Sequence, residues 1–249
     1  MTRSVYVTGI DRGDGRQVVE LGFMELLTRQ VDRVGVFRPL IHDDGPDRLF
    51  ELLRARYRLT EGVPLLLFVG QMNFKKNLLR ILEAARLLDA EGMPFRLLLC
   101  GKGPHAAEIA GLVQQMGLTP RVQLAGHIAS TRELDGLYAM SRLLVFPSLY
   151  DNAPMVLREA AAMGTPAVVI SGSNAAECVC GGVNGFACDD TAASLRDAMK
   201  SAILGEEMSR QLGEDARRTI AVPWEVLMTA VVRRYRWLLE RDGTRKESM

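Results

Sequence analysis

Two carboxylate residues, Asp151 and Glu159, are separated by seven residues in a stretch that predicts a strand, a loop and then a helix. Glu159 falls on the expected helix among alanine and valine residues, and a carboxylate in such apolar surroundings needs partners. Two neighbouring hydroxyl groups of a bound sugar are suitable donors to its two oxygens. The alternatives are an acid turned toward solvent and an ion pair with Arg142 or Arg158. We treat both carboxylates as candidate catalytic residues.

A second group of polar residues follows the apolar stretch Leu65–Val69, after which Gly70 and Gln71 lead to Lys75 and Lys76. In an open α/β sheet, ligands bind at the carboxyl ends of the strands. Two lysines near the start of a helix place positive charge where a diphosphate can bind, and the helix N-terminus adds partial positive charge. The alternative is a pair of solvent-exposed lysines that only aid solubility.

A third candidate is the glycine-rich loop near the N-terminus, which contains Gly9, Gly13, Gly15 and Arg16. An apolar stretch precedes it and a helical pattern follows, which is the context of a phosphate-binding loop. Such a loop normally ends in Gly-Lys-Thr or Gly-Lys-Ser, whereas here Arg16 and Gln17 follow the last glycine. The alternatives are weak nucleotide binding and a βαβα packing unit without chemistry.

The elements that must position these residues alternate between short apolar runs and longer helical patterns. Most of the apolar runs are continuous, as expected for parallel strands that are covered on both faces. The alternation predicts an α/β protein with a doubly wound, parallel, Rossmann-like sheet, followed after residue 192 by helices alone. Loops that contain Gly101 and Ile128 follow two of the strands, at the same edge of the sheet. The candidate strands are Ser4–Thr8, Val34–Phe37, Leu65–Val69, Arg96–Cys100, Val122–Leu124, Leu143–Phe146 and Ala167–Ile170.

The composition limits the class of protein. Among 249 residues, 31 Lys and Arg balance 30 Asp and Glu, and this balance argues against nucleic-acid binding. No apolar run approaches the roughly 18 residues of a membrane span, and no secretory signal is evident, so we expect a cytoplasmic protein. Arginines on an amphipathic pattern near Trp224 leave a peripheral membrane contact open. The four cysteines are expected to be free thiols, and no metal site is expected.

The chain from about residue 63 to 242 resembles the C-terminal, donor-binding domain of family-four glycosyltransferases of the GT-B fold. The stretches that carry the resemblance are PLLLFVGQMNFKKNLLRILEAARLL, FRLLLCGKGP, VQLAGHI and LLVFPSLYDNAPMVLREAAAMGTPAVV. The resemblance implies transfer of a hexosyl group from a nucleotide diphosphate sugar, with retention of anomeric configuration and no cofactor. The alternative is a nucleotide-sugar-binding module without turnover.

The resemblance also implies roles for individual residues. Glu159 matches the acid that binds the ribose, Lys76 matches the diphosphate-binding lysine, and Ile128 matches a base-contacting position. Two residues depart from the family pattern: Asp151 replaces a glutamate, and Gln71 stands where an arginine is usual. The donor-facing backbone corresponds to Asn152, Ala153, Pro154 and Met155.

Residues 1–60 resemble a different family, the N-terminal part of actinobacterial phosphate acetyltransferases. The stretches SVYVTGIDRGDGRQVVELG, VDRVGVFRPLI and DRLFELLRARYRL carry this resemblance. It implies no acetyl transfer, because the acetyltransferase catalytic domain has no counterpart here. We therefore predict a chimera-like organisation of segments 1–60 and 61–249, in which a partner chain or another domain supplies the acceptor site. A P-loop-derived structural or regulatory protein is a further alternative.

Overall fold

The computed structural model describes residues 45–152, 154–222, 226, 228–229 and 231–237. The chain divides into two compact units, Met1–Asp43 and Asp44–Met249. The predicted strands Ser4–Thr8 and Val34–Phe37 lie outside the described residues. The glycine-rich loop lies outside them as well, with its residues Gly9, Gly13, Gly15 and Arg16.

The second unit is an α/β fold, and this confirms the predicted fold class. Its strands are β1 (Leu65–Val69), β2 (Arg96–Cys100), β3 (Val122–Gly126), β4 (Leu143–Val145), β5 (Ala167–Ile170) and β6 (Phe186–Cys188). Its helices are α1 (Gly45–Tyr57), α2 (Leu78–Ala90), α3 (Ala106–Gln115), α4 (Thr131–Met140), α5 (Met155–Ala162), α6 (Ala192–Leu204) and α7 (Glu206–Thr219).

The six strands form one parallel sheet in the order β3-β2-β1-β4-β5-β6. The order reverses between β1 and β4, so the crossovers on either side of this junction run in opposite directions. Right-handed crossovers then place α2 and α5 on opposite faces of the sheet. The loops after β1 and β4 therefore diverge and leave a crevice, which is where ligands bind in sheets of this order.

Continuous apolar sequence explains the central strands. Leu66, Leu67 and Phe68 of β1 are fully buried, as are Leu143 and Leu144 of β4. Burial of each such side chain contributes about 1.5–3 kcal/mol, which fixes the two strands at the centre of the sheet. The crevice between their loops is thus held by the most buried part of the core.

Strand β6 was not predicted from the sequence. It is only three residues long, Phe186–Cys188, and its middle residue is exposed. So short a run gives neither a continuous apolar stretch nor a clear alternation. It becomes a strand because β5 offers it a parallel edge to pair with, along the register from Val168↔Phe186 to Ile170↔Cys188.

Helix α1 precedes the predicted segment boundary at residue 60, yet it packs on α4 within the second unit. Gly136 permits this contact, because a Cβ there would lie 2.7 Å from Leu53 and 3.0 Å from Leu49. The Tyr57 hydroxyl also donates to Glu133 Oε1 at 2.5 Å. The observed unit thus begins at Asp44.

In the described residues, no helix is both long enough and apolar enough to cross a membrane. Residues 231–237 are helical and exposed. The remainder of the arginine-rich C-terminal pattern, including Trp224, lies outside the described residues.

Helix α7 packs closely against the backbone at Gly164, and its Gly213 allows a test of this contact. A Cβ on Gly213 would lie 1.9 Å from the Gly164 carbonyl oxygen, whereas a Cβ on Gly111 of α3 would meet nothing within 4 Å. We expect Gly213→Ala to lower the free energy of unfolding by about 1–3 kcal/mol through overpacking. Gly111→Ala should raise it by up to about 1 kcal/mol, since alanine favours a helix. Urea unfolding measures both, and equal effects of the two variants would contradict the close approach of α7.

Candidate functional site

The loop after β1 is held in place by asparagine side chains. Asn73 precedes a 3₁₀ turn, Phe74–Lys76, and its Oδ1 accepts a hydrogen bond from the Lys76 amide at 3.2 Å. Asn77 has a left-handed backbone with φ of 59°, and its Nδ2 donates to the Pro147 carbonyl at 3.2 Å. Because Pro147 lies in the loop after β4, these bonds tie the two loops at the crevice together.

Lys76 and Asp151 form an ion pair across this crevice, between Nζ and Oδ1. Their side chains are only 21% and 19% exposed, so water screens the attraction less than at an open surface. The other carboxylate oxygen, Asp151 Oδ2, is buried and has no hydrogen-bond partner in the described part of the chain, and Ser148 Oγ is in the same situation. Buried polar atoms are normally paired, so these two are exceptions in the described part of the chain.

Glu159 is half-buried on α5, and Tyr138 of α4 holds one of its oxygens. The fully buried Tyr138 donates its hydroxyl hydrogen to Glu159 Oε2 at 3.0 Å. Burial and the neighbouring Glu159 charge both raise the pKa of Tyr138. Glu159 makes no ion pair with any residue that the structure describes, and Arg142 instead pairs with Glu206 at 2.8 Å. The arginine alternative considered from the sequence is therefore not observed.

Four residues predicted to bind substrate line one cavity of about 220 Å³ at the carboxyl ends of β1 to β3: Gly70, Gln71, Gly101 and Ile128. Whole ligand pockets usually measure about 300–1,000 Å³, so this cavity is smaller than a typical complete ligand site. The other lining residues are Val69, Cys100, Lys102, His127 and Leu134. Of these, Cys100 is a buried free thiol with a pKa raised by burial to about 12.

The remaining predicted residues lie outside that cavity lining. Lys75 and Asn152 are exposed, and Asn152 Oδ1 accepts a hydrogen bond from Asn174 at 3.1 Å. Pro154 precedes α5, and Met155, its first residue, is 60% exposed. Lys76, Asp151 and Glu159 form the two contacts described above. Ala153 lies outside the described residues.

Two residues of the site were missed from the sequence. Tyr138 is one of several apolar or aromatic positions on α4, and nothing in its spacing distinguishes it from a core residue. Lys102 lies in the CGKGP stretch, which was noted only for its glycines. Among the described residues, no three or more His, Cys, Asp or Glu side chains are grouped so that they could hold a metal ion.

Comparison with solved structures identifies the fold class as that of GT-B glycosyltransferases. A glycosyltransferase from Rickettsia africae ESF-5 superimposes with a TM-score of 0.66 at 21% identity, over 78% of this chain and 52% of that one. Anabaena Alr3699/HepE, in complex with UDP and glucose, gives a TM-score of 0.61 at 19% identity, over 70% of this chain and 47% of that one.

The family model "Glycosyl transferases group 1" matches residues 50–219, and the chain therefore belongs to this family. The curated relatives include an alpha-D-kanosaminyltransferase from Streptomyces kanamyceticus, 26% identical over 66% of this chain and 42% of the relative. An N-acetyl-alpha-D-glucosaminyl L-malate synthase from Bacillus anthracis is 28% identical over 68% of this chain and 43% of the relative. The matched part of the chain thus spans less than half the length of these two relatives.

The hydrogen bond from Tyr138 to Glu159 can be measured through stability. We expect Tyr138→Phe to lower the free energy of unfolding by about 1–2 kcal/mol, because a half-buried carboxylate loses its donor. Tyr150, which is 77% exposed, provides the matched control, and Tyr150→Phe should change the value by less than about 0.5 kcal/mol. Urea unfolding at neutral pH compares the two variants. If Tyr138→Phe lowers the free energy of unfolding no more than Tyr150→Phe does, the hydrogen bond does not contribute to stability.

The raised pKa of Tyr138 predicts a dependence on alkaline pH. The folded protein keeps the tyrosine proton more tightly than the unfolded chain, in which the pKa is about 10. Stability is therefore retained below that pH and falls as the pH rises above it. Tyr138→Phe should show a shallower fall between about pH 9 and 11 than Tyr150→Phe, and parallel curves would contradict the assignment.

Proposed function

We propose that the chain binds a nucleotide diphosphate sugar in the crevice between the β1 and β4 loops and uses it as a donor for hexosyl transfer. The observation that carries the proposal is Glu159, a half-buried carboxylate with one oxygen bonded to Tyr138 and no arginine partner among the residues that the structure describes. Its other oxygen is suited to accept hydrogen bonds from the ribose hydroxyls. The Anabaena protein that shares the fold has been crystallised with UDP-glucose, which supports a donor of this class.

The diphosphate would lie beside Lys76 and the first turn of α5. Pro154, the residue before this helix, provides no side-chain cap, so the first amide groups of α5 remain available to an anion. An uncapped helix N-terminus and a lysine together favour phosphate binding. A phosphate approaching Lys76 would compete with Asp151 for its ammonium group.

Asp151 would then act on the transferred sugar. Its Oδ2 is buried without a partner in the described part of the chain, and a sugar hydroxyl is a suitable donor to it. In transfer, the bond between the anomeric carbon and the diphosphate oxygen breaks and its electron pair leaves with the diphosphate. The acceptor hydroxyl oxygen attaches to that carbon, and its proton passes to the departing diphosphate. Lys76 and the α5 amides would stabilise the negative charge that develops on the departing diphosphate, without a metal ion. The family resemblance supports retention of anomeric configuration.

A nucleotide-sugar-binding module without turnover is the second candidate function. Gln71 favours it, because a neutral side chain there leaves the departing diphosphate with less stabilisation than the family's usual arginine. In either case, a partner chain or acceptor domain would position the acceptor. Turnover separates the two candidates: release of free sugar from UDP-glucose, or transfer to an added acceptor, would establish the enzyme.

Calorimetric titration tests the role of Glu159. We expect Glu159→Ala to weaken binding of UDP or GDP by about 10- to 100-fold, because charge-assisted hydrogen bonds to the ribose are lost. The 2′,3′-dideoxy form of the same nucleotide lacks those hydroxyls, and its affinity should be nearly equal in the two proteins. Glu61 precedes β1 and is exposed, at the amino end of the sheet, so Glu61→Ala is the matched control.

The outcomes of this titration are distinct. If neither UDP nor GDP binds the parent chain, the donor-binding proposal is wrong. If the parent binds and Glu159→Ala binds with the same affinity, only the ribose assignment is wrong.

A further inference from the structure

The cavity at the carboxyl ends of β1 to β3 is lined by an exposed lysine, Lys102, to which no role has been assigned so far. Gln71 and Lys102 both line it, together with the glycines at positions 70 and 101. Within this lining, all of which the structure describes, Lys102 carries the one permanent positive charge. The residue thus lines the same cavity as Gln71, the position at which the family resemblance leads us to expect an arginine.

The backbone on either side of Lys102 is fixed by close contacts. The Lys102 carbonyl accepts a hydrogen bond from the Met72 amide at 3.1 Å, and the Gly101 amide donates to Gly126 at 2.8 Å. A Cβ on Gly101 would lie 1.8 Å from the Gly70 carbonyl oxygen, and one on Gly103 would lie 2.4 Å from the Met72 carbonyl oxygen. Two glycines therefore let this loop pack directly on the loop after β1, which places Lys102 beside Gln71.

The charges around the crevice differ in how far they are already neutralised. Lys76 is paired with Asp151, and the Gln71 amide oxygen accepts a hydrogen bond from Asn73 at 2.6 Å. The Lys102 ammonium group makes no ion pair with the described residues. An anionic ligand in the cavity therefore meets a lysine whose charge is not offset by a protein carboxylate.

We propose that Lys102 is a phosphate-binding residue of the donor site and supplies the positive charge that Gln71 does not. This role rests on the proposed function, since it requires a nucleoside diphosphate in the crevice. It deepens that function by assigning the second cation to the loop after β2 instead of the loop after β1. The alternative is a solvated surface lysine that contacts no ligand.

Nucleotide and nucleoside binding to the full chain separate the two explanations. UDP and uridine, or GDP and guanosine if the chain prefers GDP, are titrated into the parent, Lys102→Met and Lys200→Met. We expect Lys102→Met to weaken diphosphate binding by about tenfold and to leave nucleoside binding unchanged, because only a phosphate contact is lost. Lys200 lies on α6, pairs with Glu91 at 2.6 Å and is outside the cavity lining, and its replacement should change either affinity less than about twofold.

Restoring the family's arginine provides a second measurement. If Lys102 compensates for Gln71, then Gln71→Arg should raise diphosphate affinity more in the Lys102→Met background than in the parent. Such non-additivity is the signature of two residues that act on one ligand group. Independent effects would indicate that the two positions do not share a phosphate.

Three results would overturn the proposal. Equal diphosphate affinity of the parent and Lys102→Met would show that Lys102 is only a surface lysine, while leaving the donor site intact. Equal losses for the diphosphate and the nucleoside would show a general disturbance of the loop. A parent chain that binds neither nucleotide would remove the proposed function, and the role of Lys102 with it.

Discussion

Strands β1 and β4 are hydrogen-bonded neighbours whose following helices cover opposite faces of the sheet. Their two loops must diverge, and the crevice between them exists because of that reversal. The loops are nevertheless joined across it, by Asn77 bonded to the Pro147 carbonyl and by the ion pair of Lys76 with Asp151. The candidate site therefore depends on the junction of two strands, with the fully buried Leu66 and Leu144 beneath it.

The electrostatics of the site follow from the same junction. A partly buried ion pair holds each partner's charge in place, and removing one partner leaves the other uncompensated in poorly hydrated surroundings. Lys76 thus faces a protein carboxylate that a bound phosphate would have to displace or share. Lys102 on the neighbouring loop has no such competitor among the described residues, and Gln71 carries no charge. The charged side chains at the crevice consequently come from three loops, those after β1, β2 and β4.

Much of the fold could be predicted because most of its strands are nearly continuous runs of apolar residues. The runs Leu65–Val69, Arg96–Cys100 and Ala167–Ile170 were predicted with the bounds that the structure has, since each is almost continuously apolar and buried. Strand β6 escaped prediction because its three residues depend on a neighbouring edge. The family could also be recognised, from the PSLYDNAPMVLREAAAMGTPAVV block. Residue roles within the candidate site stay predictions.

The sequence by itself determined the alternation of strands and helices and the family, and it placed the candidate residues at the ends of strands. These follow from local patterns of apolar residues and from spacing within single loops. Only the tertiary structure decided which side chains meet. Lys76 and Asp151 are 75 residues apart, and Tyr138 and Glu159 are 21 apart on different helices. Such pairings arise from strand order and helix packing, and a one-dimensional pattern does not specify either contact.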